Sequence, residues 1–409
     1  MRHRQIAVVG AGMAAARFTA QLLARDPGAA VTLFGDEPHA PYNRALLADV
    51  LTGRYQADAI GLPAPEHPGV HVRTGVEVTA VDTAAHTLEL ADGSFAAYDT
   101  LVMATGSNPV LPPIRNLHCT SNTGEGGELK QGVHAFRTLE DCARLAEAVP
   151  GATRAVVVGG GILGVSAARA LAALGLPVEI VHQAPYLMER HLDEEGGAAL
   201  HRALAGLGVA VYPENRAKSV GGTDRAEGVV LANGYRLDAD LVVLACGVRP
   251  RVGLARAAGL DVRTGIVVDD TLATSAPDVY AIGDCTEHAG LVHGLAGPAW
   301  EQADVLAAHL SGADAAYRGS RVFARLTAGP VEIAAFGEVD ALPGTADVIR
   351  LADPTRGSYK KLVLRGDRLV GGILVGDLAT VGALTHAYER DEPVPEDPLH
   401  LLITQGAPQ

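Results

Sequence analysis

The chain has 409 residues, too many for one ordinary domain, so two or three are expected. Its 48% apolar content can bury a large core, yet no segment approaches the length of a membrane span. A formal charge of −14 argues against nucleic acid and anionic membrane surfaces as partners.

The N-terminus, MRHRQIAVVG, places basic residues before an apolar run, as a signal peptide does. The run breaks into G-A-G and feeds an amphipathic helix, so that reading is rejected. Instead QIAVVG predicts a strand, MAAARFTAQLLARD a helix and AVTLFG a second strand. This βαβ unit carries Gly10, Gly12 and Ala15 at GxGxxA spacing. Glycine lets the backbone turn tightly and approach a pyrophosphate, which then faces the free N–H groups of the helix N-terminus.

Further on, YDTLVMATGSNPVLPPI is a strand meeting the small-residue turn Ala104-Thr105-Gly106. Residues 116–132, NLHCTSNTGEGGELKQG, are polar and Gly-rich and read as a surface loop or linker. A second glycine turn follows in VVVGGGILG (156–164), with Gly159, Gly161 and Gly164 in the same arrangement. Its next strand, VEIV, ends on His182, where an acid is usual. The stretch ADLVVLACGVRP (239–250) echoes the first small-residue turn, and GIVVDDTLATSAPDVYAIGDC ends in Gly283-Asp284. A helix through AWEQADVLAAHLSG precedes a third region from about residue 321. That region reads as strands VFARLTA, VEIAAFGEV and DVIRL, a hairpin KKLVLRGDRLVGGILVG, a helix through ALTHAYER and an extended Pro-rich strap, PVPEDPLHLL.

Cys119, Cys142, Cys246 and Cys285 are widely spaced and lack CxxC, so neither zinc nor an iron–sulfur cluster is expected, and a reducing cytoplasm suits them. The fifteen histidines form no HxxxH pair, and no metal site is expected.

Together these motifs resemble the two-dinucleotide FAD/NAD(P)H oxidoreductases, the pyridine nucleotide-disulfide oxidoreductase superfamily, over essentially the whole chain. The likeness is greatest to the flavoprotein portion of the assimilatory nitrite/nitrate reductase large subunit, through PYNR (41–44), FRTLEDC (136–142), LMERHLD (187–193), GSYKKLV (357–363), GGILVGD (371–377) and PEDP (395–398). Ferredoxin and rubredoxin reductases are similar as well. The resemblance implies an α/β fold with two Rossmann-like dinucleotide-binding domains, glutathione-reductase-like, and a small C-terminal α+β domain. The FAD-binding domain would be split over 1–115 and 250–317, the loop would cover 116–133, the NAD(P)-binding domain 134–249 and the C-terminal interface domain 318–409.

The resemblance also assigns roles. Gly10, Gly12 and Ala15 would hold the FAD pyrophosphate, Asp36 or Glu37 the adenosine ribose, and Arg44 the pyrophosphate charge. Val78 would pack the adenine. Ala104, Thr105 and Gly106 would lie beside the flavin, Gly283 and Asp284 at the ribityl chain, and Trp300 and Glu301 toward the pyrimidine side of the ring. The pyridine nucleotide would meet Gly159, Gly161, Ile162, Leu163, Gly164, Cys246 and Gly247, with His182, Gln183 and Arg190 near the ribose. NADH and NADPH both stay open: His182 offers no repulsion to a 2′-phosphate, but it can also bond the ribose diol directly.

The implied function is FAD-dependent transfer of electrons from NAD(P)H to a separate redox protein, without catalytic side chains, as the electron-transfer component of an assimilatory nitrate/nitrite reductase. Iron–sulfur and rubredoxin-like proteins are such acceptors. The stretch EPHAPYNRALLADVLTG contains no cysteine, which argues against disulfide reduction. Relatives among ferredoxin reductases carry a lysine near Asp49 and a glutamate at Ser166; neither charge is present here. Two alternatives stay open, a ferredoxin or rubredoxin reductase serving an oxygenase and a flavin-binding redox sensor or interaction protein. A homodimer through the third region is compatible with the sequence and not dictated by it.

Overall fold

A computed structural model describes residues 4–63, 67–119, 128–329, 331–342 and 344–403. The chain divides into two compact units: the described residues of Met1–Leu46, Tyr55–Asn108 and Val248–Ser320 form the first, and those of Leu47–Arg54, Pro109–Gly247 and Arg321–Gln409 the second.

In the first unit the apolar runs become a parallel sheet, in the order Val279–Ala281, Thr100–Met103, Gln5–Val9, Ala30–Phe34, Val70–Arg73. Val9 is in register with both Phe34 and Met103, so these three strands end together and their following turns emerge at one edge. The helix Met13–Arg25 buries Ala15, Ala16, Phe18, Thr19, Leu22 and Leu23, the spacing of one helical face. It packs against the helix Ala296–Leu310. A three-stranded antiparallel sheet, Val78–Asp82, Thr87–Leu90 and Phe95–Ala97, also belongs to this unit.

The second unit repeats the design, with parallel strands in the order Val209–Tyr212, Val178–Val181, Ala155–Val158, Leu241–Leu244, Val133–Ala135 and the helix Ile162–Ala173 after the glycine turn. Also in this unit is a five-stranded antiparallel sheet in the order Phe323–Ala328, Val331–Gly337, Arg368–Val375, Ser358–Arg365, Asp347–Asp353. The hairpin anticipated at KKLVLRGDRLVGGILVG is its centre. The helix Val381–Arg390 lays Val381, Leu384 and Tyr388 on this sheet's core. Rather than an extended strap throughout, the tail forms a short 3-10 turn at Pro398–Leu401 and buries Leu402, because Asp397 caps that turn through the Leu399 N–H.

Of the anticipated 116–132 loop, residues 120–127 lie outside the described residues. Its flanks are anchored: His118 bridges to Leu129, and buried Lys130 donates from Nζ to the Gly222 carbonyl at 2.7 Å. Among the described residues, no helix is long and apolar enough to cross a membrane, and no group of three His, Cys, Asp or Glu side chains could hold a metal.

Candidate functional site: two glycine turns at strand ends

Each glycine turn closes on the small-residue turn of the neighbouring strand. Gly10 adopts φ 115°, and a Cβ there would stand 2.1 Å from the Ala104 carbonyl oxygen. Gly159 adopts φ 111°, and its Cβ would stand 2.2 Å from the Ala245 carbonyl oxygen. Both demand glycine twice over, for the left-handed backbone and for the contact. The bonding matches too: Gly10 N–H donates to Phe34 O at 2.8 Å and Gly159 N–H to Val181 O at 2.9 Å. Ala104 N–H donates to Val9 O and Ala245 N–H to Val158 O, each at 2.8 Å.

The next glycine caps the helix in both units. Gly12 and Gly161 are extended N-caps without a side-chain cap, and a Cβ on either would meet nothing within 4 Å. Helix N–H groups therefore open onto free space, the arrangement that receives a phosphate. Gly106 (φ 70°) and Gly247 (φ 97°) are equally open. These cradles fit the pyrophosphate of a dinucleotide, one in each unit. Ala15 is fully buried, and a Cβ at Gly164 would lie 2.0 Å from Gly159 O, so small residues there permit close packing of the helix.

In the first unit a continuous bonded set joins the predicted residues. Ser107 Oγ donates to Asp284 Oδ2 at 2.8 Å, and Gly283 N–H donates to Gln302 Oε1 at 2.7 Å. Arg251 N–H donates to Gly106 O at 2.9 Å, Thr105 Oγ1 to Arg251 O at 2.7 Å, and the Arg251 guanidinium to Asp36 at 2.7 Å. Glu37 receives the Tyr42 hydroxyl at 2.6 Å and pairs with Arg44. Both acids after the second strand are thus held by arginines, Asp36 by Arg251 and Glu37 by Arg44. Val78 lies buried in the antiparallel sheet, and Trp300 is 38% exposed on its helix. Sequence reasoning missed Ser107, Arg251 and Gln302, which have no motif of their own.

In the second unit Ile162 and Leu163 open the helix, while Cys246 donates from Sγ to Val158 O at 3.3 Å. Burial pushes the Cys246 thiol up to about 11 and the Cys142 thiol likewise up to about 11, so neither is a thiolate near neutrality. Cys285 is buried, and its thiol is raised by the same cause. All four cysteines are unpaired.

His182 is buried instead of facing outward, and accepts the Gly160 N–H on Nδ1 at 3.1 Å. Its Nε2 lies 3.0 Å from Glu189 Oε2, a residue not singled out from the sequence although LMERHLD was. Gln183 and Arg190 are exposed.

A buried acid–base pair also stands where the sequence lacks the charges of the ferredoxin reductases. Asp49 Oδ1 lies 3.6 Å from Arg169 Nη2, each side chain 8% exposed. Arg169 follows Ser166 by three residues, and the Ser166 hydroxyl is used inside the helix on Ile162 O at 2.8 Å. The signs are reversed, acid at 49 and base near 166. Burial lowers the Arg169 guanidinium from its usual range, with Asp49 opposing.

This geometry agrees with known proteins. The sequence matches the pyridine nucleotide-disulphide oxidoreductase family over residues 4–304 and the rubredoxin NAD+ reductase C-terminal domain over 323–391. It is 37% identical over 97% of its length to a nitrite reductase [NAD(P)H] of Bacillus subtilis (strain 168), covering 48% of that protein. It is 35% identical over 92% of its length to the assimilatory nitrate reductase electron transfer subunit of the same organism, again covering 48%. The chain therefore spans about half the length of the curated relatives it matches. Among solved structures it resembles a ferredoxin reductase from Rhodopseudomonas palustris, with a TM-score of 0.83, 26% identity, and coverage of 97% of this chain and 99% of that one. On these grounds, and on its paired glycine turns, the chain belongs to the pyridine nucleotide-disulphide oxidoreductase family.

Proposed function

We propose that this chain is an FAD-dependent NAD(P)H oxidoreductase that passes electrons to a separate redox protein, as the electron-transfer component of assimilatory nitrate or nitrite reduction in a reducing cytoplasm. The observation that carries this is the pair of matched phosphate cradles, Gly10–Gly12 and Gly159–Gly161, in a chain whose relatives over nearly its full length are nitrite and nitrate reductase proteins. Bound at the first cradle, FAD would supply acceptance of a hydride and its release as single electrons. The chain's own groups would bind and orient: helix N–H groups and Arg44 for the pyrophosphate, Asp36 or Glu37 for the ribose, Asp284 for the ribityl chain. No side chain needs to act as acid, base or nucleophile, and the high thiol values of Cys142 and Cys246 agree with that.

A second reading, a ferredoxin reductase, is favoured by the end-to-end structural match to the Rhodopseudomonas palustris protein. Anaerobic mixing of the flavin-loaded protein with NADH or NADPH tests the shared half-reaction. Prompt bleaching of the flavin band is expected, and its absence with both donors would return the protein to the class of redox sensors. Supplying ferredoxin, rubredoxin or a nitrite reductase catalytic subunit as acceptor then separates the two enzyme readings by rate.

A further inference from the structure

The segment 187–193 lies across the second glycine turn and is tied down at several points. Met188 N–H donates to Gly160 O at 2.9 Å, and Met188 adopts φ 56°, a left-handed conformation that costs a non-glycine residue. At the far end Asp193 caps the helix Glu194–Ala205 through Gly196 N–H at 2.9 Å and receives Lys361 Nζ at 2.7 Å and Tyr359 OH at 2.8 Å. A side chain on Gly160 would collide with Leu187 at 2.3 Å and with the His182 ring at 2.8 Å, so the bare glycine lets this segment sit against the turn.

Between those anchors stands Glu189. His182 spends Nδ1 on the Gly160 N–H, so its proton is on Nε2 and is donated to the Glu189 carboxylate at 3.0 Å. His182 itself is buried, while the Glu189 side chain is 31% exposed. The imidazole thus acts as a spacer: the strand end that usually carries an acid carries a histidine, and the histidine holds an acid at its outer edge. An acid beside the glycine turn bonds the ribose diol of NAD and repels the 2′-phosphate of NADP. Charge nearby points the same way. Asp340, Asp193, Glu189 and Glu194 all lie near enough to Tyr186 to raise its phenol, after burial as the first cause. The basic residues on this segment are Arg190, which is exposed, and His191, which burial lowers.

We propose that Glu189, oriented by His182, is the residue that reads the adenosine ribose and makes this chain select NADH over NADPH. The inference rests on the second cradle being the pyridine nucleotide site. Its test is calorimetric binding to the flavin-loaded protein of ADP-ribose and of 2′-phospho-ADP-ribose, fragments that report the ribose without turnover. Wild type is expected to bind ADP-ribose at least tenfold more tightly. Glu189→Gln should weaken ADP-ribose about 10-fold to 100-fold, the span of a charged hydrogen bond, and narrow or invert the preference. His182→Ala, which releases the carboxylate, should move in the same direction by less, with flavin content unchanged. A Glu189→Gln protein with the wild-type ratio overturns the role of Glu189 while leaving the site in place. A wild type that prefers the 2′-phosphate, with the preference lost in Arg190→Ala, also overturns it. Failure of wild type to bind either fragment overturns the inference together with the site assignment beneath it.

Discussion

Replacing Lys361 by methionine isolates a buried charge whose cost can be worked from its surroundings. Its ammonium lies 2.7 Å from Asp193 Oδ2 and 2.6 Å from Val339 O, with the side chains of Lys361 and Asp193 only 5% and 12% exposed. Methionine keeps the stem but leaves the carboxylate with Tyr359 and the Gly196 N–H as its remaining donors. Removing one partner of a buried pair costs about 3–5 kcal/mol, because the other charge stays desolvated. Against a total stability of about 5–15 kcal/mol this is a large fraction. In urea, with a slope of about 1–3 kcal/mol per molar, the unfolding midpoint should fall by about 1–5 M. The double variant Asp193→Asn/Lys361→Met should recover most of the loss, since asparagine still caps the helix and no charge is stranded. Acid adds a check of sign. Burial pushes the Asp193 carboxyl up, but Lys361, the Gly196 N–H and Tyr359 outweigh it and hold it below the usual range. Stabilisation of this kind is present above about pH 4, the unfolded value, and is lost as pH falls through the lower folded value. The gap between wild type and Lys361→Met should therefore close on acidification below that point. A Lys361→Met protein within about 0.5 kcal/mol of wild type, or a double variant no better than the single, would refute the reasoning.

Two further outcomes are expected. Gly12→Glu places a carboxylate at an open helix N-terminus proposed to receive pyrophosphate, so purified protein should lose its flavin absorbance; a fully yellow variant would contradict the assignment of FAD to the first unit. With thiols at about 11, Cys142 and Cys246 should resist alkylation by iodoacetamide at pH 7.5 in the folded protein, and peptide mass spectrometry showing them labelled within minutes would show that the buried environment is wrong.

Much of the fold was legible because its constraints fall on single residue types. Positive φ at Gly10 and Gly159, with a carbonyl closer than any Cβ allows, can be met only by glycine, so the turns are written in the sequence. The hairpin at 358–375 was legible by alternation and a polar turn. The surroundings of His182 were not. Nothing in VEIVHQ says whether His182 faces out or folds onto Gly160; that depends on where 187–193 runs, which is set by bonds to Gly160 and to Lys361. Arg251 was invisible for a similar reason, since its bond to Asp36 spans 215 positions and has no periodicity to announce it. The tail misled because PVPEDP reads as extended, whereas Asp397 caps a turn just beyond it.

Because the second glycine turn and the C-terminal sheet share one compact unit, the cassette that recombination can exchange is discontinuous. A graft of the second dinucleotide half onto another reductase should carry Leu47–Arg54, Pro109–Gly247 and Arg321–Gln409 as one set, with Lys361 and Tyr359 travelling beside Asp193. A crossover placed between the second glycine-turn sheet and the C-terminal sheet would cut through the pair that fixes the segment bearing Glu189. Inheritance of nucleotide preference should then follow the C-terminal sheet as well as the strand and turn proposed to receive the nucleotide.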